Sequence, residues 1–278
     1  MLMPPRRSST ILLTALRSKK YMQKDQVTLL KAKDAVVAAF KALRPKLLES
    51  YGNVENSYKS DKTVVTELDL WVEQEIKTAL RTFDSAIGFL GEEHGAEGST
   101  TLRWIIDPID GTEQFIRGIP ICSNMATLAD GTDLLVTVIY NFVTDELYWA
   151  VKGGGAWLGD KRLSISKRPL ERSFVDIGFD ISDEEMAAVV MKIVPNIKAT
   201  TRYYASGHST CMIASGKTEG RIVVAGKGGP WDYAPGGLLV PEAGGVTVQL
   251  DGGTYDCISS FNFVSGTKEL VEHVRGLV

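Results

Sequence analysis

Three short acidic stretches carry the residues most able to do chemistry. Gly91-Glu92-Glu93 follows the apolar run Ile87–Leu90. Asp107-Pro108-Ile109-Asp110-Gly111-Thr112 follows Trp104-Ile105-Ile106. Trp231-Asp232 is followed by Ala234-Pro235-Gly236 and later by Glu242-Ala243-Gly244-Gly245. Carboxylates and carbonyls are the oxygen ligands that hard divalent cations such as Mg²⁺ select. In the middle stretch an apolar strand delivers Asp107 at its end. Pro108 bends the chain, and Asp110 can aim back at the same point with the Ile109 carbonyl beside it. Gly111 lets the backbone approach a ligand closely. The amides of Gly111 and Thr112, opening a helical turn, suit a phosphate, and the Thr112 hydroxyl can orient a water. Together these groups point to metal-assisted chemistry on a phosphate.

Taken singly, each stretch has a plainer reading. Asp, Pro and Gly all favour turns, so an isolated DPxDG is usually a turn, and GEE reads as a surface turn. Asp69 fits a helix start, where an acid meets the positive end of the helix dipole. Asp232 fits an N-cap. Their joint occurrence in one chain, in this order, is what favours a site.

The elements that must hold these acids follow from periodicity. Apolar positions at helical spacing (Val27, Leu30, Val37, Phe40, Leu43, Leu47) predict a helix over 25–51, with Pro45 as a point of bending. Leu68, Val72, Ile76, Leu80 and Phe83 predict a second helix over 66–83, with Thr66 as its cap and Asp69 at its third position. From 86 to 166 short β-rich runs alternate with glycine turns: 86–90, 103–106, 125–129, 134–140 and 146–151. They read as an antiparallel sheet. Beyond Pro169 strands (174–178, 221–225, 246–250, 262–265) alternate with helices (183–193, 209–215, 231–243, 268–274), the pattern of an α/β half. The expected organisation is a basic extension over 1–21, an α+β half over 22–166 carrying the main acidic motifs, and an α/β half over 167–278 supplying Asp232.

The bulk numbers exclude several classes. The chain has 278 residues, 44% of them hydrophobic, enough for a large core. Its formal net charge is −3. Residues 1–21 hold Arg6, Arg7, Arg17, Lys19 and Lys20 and no acid, so the remainder carries −8. An acidic body suits metal-binding carboxylates and argues against a nucleic-acid partner. The longest apolar run near the N-terminus, Ile11–Leu16, is too short for a membrane span. Cys122, Cys211 and Cys257 lie far apart and read as free thiols in a reducing, cytoplasmic setting. The composition of residues 1–21 is also that of an organelle transit peptide; the plainer reading is an extension upstream of a natural start at Met22.

The motifs resemble the inositol monophosphatase superfamily of lithium-sensitive, Mg²⁺-dependent phosphatases. The resemblance runs from about Lys59 to Gly245. It rests on Lys59-x-Asp61-x-Thr63-x-Val65-Thr66-x-x-Asp69, on Gly91-Glu92-Glu93, on Asp107-Pro108-Ile109-Asp110-Gly111-Thr112-x-x-Phe115, and on Trp231-Asp232 with Glu242-Ala243-Gly244-Gly245. It implies a layered αβαβα sandwich of the inositol monophosphatase and fructose-1,6-bisphosphatase type. It implies that Glu92, Asp107, Asp110, Asp232 and the Ile109 carbonyl hold two or three Mg²⁺, and that Asp69, Glu92 and Thr112 position the attacking water. A small phosphomonoester substrate and a homodimer are implied in the same way. Gly111, Thr112, Gly207, His208, Ser209 and Ala225 fall on substrate-side positions. Three departures bear on the substrate. Gln114 replaces the usual Asn before Phe115, and His208 replaces the threonine of inositol enzymes. Ala225 stands where inositol-preferring members have a sugar-reading Glu. Phe115-Ile116-Arg117-Gly118 is slightly more similar to histidinol-phosphatase-like members. Histidinol phosphate, a 3′-phosphoadenosine nucleotide and fructose bisphosphate are the alternative substrates. A non-catalytic descendant that binds RNA or protein is the alternative of another class.

Overall fold

The computed structural model describes residues 25–53, 57–58, 64–65, 67–178, 184–224 and 226–277. The segment 1–21, Lys59, Asp61, Thr63, Thr66 and Ala225 lie outside the described residues.

Helix α1 (Gln26–Ser50) starts where the Asp25 carboxylate accepts the Val27 amide. Its buried residues Leu29, Val36, Phe40, Leu43 and Leu47 recur at helical spacing and form one apolar stripe. A two-stranded ribbon follows, β1 (Ser57–Tyr58) and β2 (Val64–Val65). Helix α2 (Glu67–Phe83) buries Val72, Ile76 and Leu80, and with them Asp69, Glu73 and Lys77.

Both helices cover one face of an eight-stranded sheet. Its strands are β3 (Gly88–Gly91), β4 (Gly95–Glu97), β5 (Leu102–Asp110), β6 (Ser123–Asp130), β7 (Asp133–Asn141), β8 (Glu146–Val151), β9 (Gly155–Leu158) and β10 (Lys161–Arg162), in the order β10-β9-β8-β7-β6-β5-β3-β4. The expectation of an antiparallel sheet needs one correction: β3 and β5 are parallel. The short strand β4 turns back outside β3, so the chain re-enters as β5 in the direction of β3. A second correction concerns β5. It does not stop before Asp107 but runs to Asp110, with its register against β6 broken between those two acids. The Asn124 amide donates to the Pro108 carbonyl and holds that irregular stretch against β6. Helix α3 (Thr112–Ile116) follows directly.

The second sheet holds β11 (Phe174–Gly178), β12 (Ala199–Thr201), β13 (Gly220–Val223), β14 (Val246–Gln249) and β15 (Phe263–Gly266), in the order β12-β11-β13-β15-β14. The first three are mutually parallel and β15 runs against both its neighbours. Helices α5 (Ser206–Ala214) and α6 (Pro230–Glu242) lie between the two sheets, while α4 (Glu184–Ile193) and α7 (Lys268–Arg275) cover the outer face. Helix α6 persists through Pro235 and Pro241.

Three buried clusters express this layering. One joins α1 and α2 to the large sheet through Phe40, Ile76, Trp104 and Val138. A second fills the middle with Ile105, Met125, Val223 and Leu239, and the third packs Val190 and Leu270 on Val175 and Ile222. Alternation along β5 explains the division, since Trp104 and Ile106 face α1 and α2 while Ile105 faces the middle layer. The result is the expected αβαβα sandwich. Among the described residues no helix is long and apolar enough to cross a membrane.

Candidate metal centre and active-site cleft

The parallel pairing of β3 and β5 brings their C-terminal ends together. Gly91 lies opposite Ile106, and the Glu92 amide donates to the Ile106 carbonyl at 3.2 Å. Glu92, just past the end of β3, and Asp107, within β5, therefore arrive side by side. Asp232 comes from the middle layer as the third residue of α6, after Pro230 at the first helical position. Its Oδ2 accepts the Gly229 amide at 2.8 Å, which orients the side chain at the helix start.

Asp110 is held by the N-terminus of α5. Its Oδ1 accepts from the Ser206 amide at 2.7 Å and the Ser206 hydroxyl at 2.9 Å, and its Oδ2 accepts from the Gly207 amide at 2.9 Å. The Ser206 hydroxyl also lies 3.3 Å from Asp232 Oδ1 and so sits between the two acids. A Cβ at Gly207 would come within 2.7 Å of Met125 Sδ and Ser123 Oγ, so glycine is required for this approach.

Asp107, Asp110 and Asp232 each offer an oxygen within 4.8 Å of the others. Glu92, the Ile109 backbone, Gly111 and Thr112 line the same cleft of about 680 Å³. Asp69 lies behind Thr112, whose hydroxyl is 3.3 Å from Asp69 Oδ1 and 3.1 Å from the Ile109 carbonyl. The acids fit a divalent cation on two grounds. Asp107 Oδ1 is buried without a hydrogen-bond partner, which a ligand oxygen facing a cation would be. Burial, then the charges of Glu92, Asp110, Asp232 and Asp69, pushes the Asp107 carboxyl well above the ordinary carboxylate range. Such a cluster of like charges is relieved by a hard cation with oxygen ligands.

Asp110 is pushed up to about 6 by burial first and by Asp232 second, against the opposing pull of the Ser206 and Gly207 donors. An acid whose folded-state pKa is raised holds its proton more tightly in the folded chain than in the unfolded one. Stability of the metal-free protein should therefore fall as pH rises from 3.8 to about 6 on account of Asp110. Mg²⁺ held by these acids would offset that loss. At roughly 100 times its Kd it adds about 2.7 kcal/mol, or about 5–10 °C in Tm for a chain of this size. Thermal melts with and without Mg²⁺ should show that shift near pH 7.5 and little of it near pH 4.5. Equal shifts at the two pH values would contradict this account.

The family model described as "Inositol monophosphatase family" matches residues 25–276. The chain belongs to the inositol monophosphatase family. It is 32% identical over 224 residues to a fructose-1,6-bisphosphatase/inositol-1-monophosphatase of Aquifex aeolicus, covering 77% of this chain and 83% of that one. It is 29% identical over 233 residues to a Nus factor SuhB of Pasteurella multocida, covering 81% and 86%. The structure of extragenic suppressor protein SuhB from Bartonella henselae superposes with a TM-score of 0.80 at 27% identity, over 88% of this chain and 97% of that one. Membership of the inositol monophosphatase family implies phosphatase activity as the coarse function and gives the acidic cluster a metal-dependent setting.

Seen within this family fold, the substrate-side residues divide. Gly111 and Thr112 line the cleft. The Gly207 amide is committed to Asp110, and Ser209 is fully buried. His208 packs edge-on against the Tyr203 ring at 4.8 Å and lines a separate recess with Cys211 and Tyr148. Gln114, buried, donates to the Tyr203 carbonyl. Several cleft or cleft-supporting residues were not singled out from the sequence. Ser206 bridges two acids. Arg117, Tyr204 and Arg221 line the cleft. Arg221 pairs with Asp176 at 3.3 Å. Tyr204, with φ of +57°, is a non-glycine residue in the left-handed region, an arrangement that concentrates at ligand-binding sites. The one available signal was position, since Tyr204 lies two residues before Ser206-Gly207 and Arg221 opens the predicted strand 221–225.

Proposed function

We propose that the chain is a Mg²⁺-dependent hydrolase of a small, soluble phosphate monoester. The observation that carries this reading is the convergence of Glu92, Asp107, Asp110 and Asp232 on one cleft, around an Asp107 oxygen that no protein donor satisfies. These four acids and the Ile109 carbonyl would hold two or three Mg²⁺. When bound, Mg²⁺ supplies Lewis acidity, activating water and neutralising charge on the phosphoryl oxygens.

The chain's own residues orient the reaction. The Gly111 and Thr112 amides would bind phosphoryl oxygens, with Gly111 in the left-handed conformation, at φ of +79°, where the chain enters the helix. The Thr112 hydroxyl, donating to Asp69, keeps a lone pair that accepts a proton of the attacking water. Asp69 is thereby the final acceptor in that relay, while Glu92 aligns the water from the other strand end. Water attacks phosphorus in line, the P–O bond to the leaving group breaks, the departing alkoxide takes a proton from solvent, and no covalent phosphoenzyme is required. The reading includes a homodimer in a reducing cytoplasmic setting, where the buried Cys122, Cys211 and Cys257 stay thiols.

Arg221 and Tyr204 line the cleft, and an alanine at position 225 has no hydrogen-bonding side chain with which to read a polyol. Discrimination by missing hydrogen bonds is large, whereas an apolar wall discriminates weakly. A broad or non-inositol preference is expected. The test compares kcat/KM for inositol 1-phosphate, histidinol phosphate, glycerol 2-phosphate, a 3′-phosphoadenosine nucleotide and fructose 1,6-bisphosphate with Mg²⁺ present. Inositol 1-phosphate ahead by more than about 100-fold, roughly 2.7 kcal/mol, would refute the preference. No phosphate release from any of them would favour a binding role of the kind that the name Nus factor suggests for one relative.

A further inference from the structure

Glu73 and Lys77 lie one turn apart in α2 and form an ion pair of 2.7 Å with side chains only 0% and 1% exposed. The Glu73 carboxylate is directed at the turn after β3. Its Oε2 accepts the Glu93 amide at 2.8 Å, and its Oε1 lies 3.2 Å from the His94 amide and 3.0 Å from His94 Nδ1. The fit is tight, since a Cβ at Gly91 would lie 2.1 Å from Glu73 Oε1. The amide of Glu92 itself is taken by the Ile106 carbonyl, the residue before Asp107. The backbone is thus pinned by β5 at Glu92 and by α2 at the two residues that follow.

From this geometry we infer that the Glu73–Lys77 pair is a positioning device for Glu92, and that it sets the affinity of the cleft for its divalent cation. The inference rests on the reading of Glu92 as a metal ligand. Two physical points support it. A buried ion pair contributes little net stability, because desolvation offsets the attraction; an apolar pair of similar volume would serve a purely structural end. A carboxylate, however, holds backbone amides by short, strong hydrogen bonds, and the 2.7 Å ion pair with Lys77 fixes the same carboxylate from the helix side. The same helix carries Asp69 one turn before Glu73, so α2 fixes the Glu92 turn and Asp69 in a single frame.

The test uses the full chain with Mg²⁺ alone as the calorimetric ligand, followed by the Mg²⁺ dependence of turnover. Glu73→Gln/Lys77→Met removes both charges at nearly constant volume and leaves no unpaired buried charge. Gly91→Ala keeps both charges but displaces the carboxylate. Val36→Ala, in the α1 core away from the cleft, is a control for general destabilisation. Both clamp variants should bind Mg²⁺ about 10-fold or more weakly, the usual cost of disturbing groups behind a metal ligand. Their half-saturating Mg²⁺ should rise in step while substrate KM changes less than about 3-fold. Val36→Ala should lower Tm with its Mg²⁺ constant unchanged. Clamp variants within about 2-fold of the unaltered chain in Mg²⁺ binding would overturn the inference, as would an equal loss in Val36→Ala. If the double variant does not fold, Gly91→Ala decides alone. An unaltered chain that neither binds nor needs Mg²⁺ would instead overturn the metal reading itself.

Discussion

Excess EDTA should lower phosphate release at least about 10³-fold, an effect of roughly 4 kcal/mol, and Mg²⁺ alone should restore it. The expected size follows from the charges in the cleft. A phosphate ester must approach Asp107, Asp110, Asp232 and Glu92, all of which line it. The cations of the same cleft are committed elsewhere, Arg117 to Glu113 and Arg221 to Asp176. Without a divalent cation the substrate meets four carboxylates, so binding and turnover should fail together. Far-UV circular dichroism in EDTA should be unchanged, because the three buried clusters do not depend on the site. Full turnover in EDTA would remove the metal from the account.

Asp107→Asn should lower kcat by at least about 10²-fold, or roughly 2.7 kcal/mol, while raising the Tm of the metal-free protein. Asparagine keeps the shape of the side chain and removes its charge. The burial and the like charges that push the Asp107 carboxyl upward then no longer oppose folding, so stability and activity move in opposite directions, as at other sites built from strained electrostatics. Both are read from one preparation, by steady-state turnover at saturating Mg²⁺ and by a melt in EDTA. Wild-type turnover in a normally folded variant would refute the role given to Asp107. A lowered Tm with lost activity would point to a structural role instead.

These acids were legible in the sequence because ligand chemistry restricts residue type and the motifs are local. Asp107 and Asp110 sit within one strand end, and the pairing of Trp with Asp232 marks a helix start. What was not legible came from non-local pairing. The three-residue strand β4 is too short to show a period, yet it reverses the sense in which β5 returns and so makes Glu92 a neighbour of Asp107. Glu73 and Lys77 were hidden for a different reason. They lie on the apolar side of α2, and an apolar stripe predicts what is buried without predicting that two charges are buried with it. Substrate-side positions were the least legible. Motif position brought Gly207 and His208 to the right helix end, but whether a side chain enters the cleft or packs on Tyr203 is decided by the loop before α5, which has no periodic signal.

The acidic cluster draws on both sheets' surroundings, and Asp232 lies 125 positions after Asp107. During synthesis at about 5–20 residues per second, roughly 6–25 s pass between the emergence of the two. Through that interval the eight-stranded sheet can pair, but its middle-layer face, with Ile105, Met125 and Ile139, has no α6 to cover it. Asp110 likewise waits for the amides of Ser206 and Gly207. A nascent chain therefore shows an apolar sheet face and a group of uncompensated acids side by side. That order of emergence makes the half-made chain the form most exposed to aggregation.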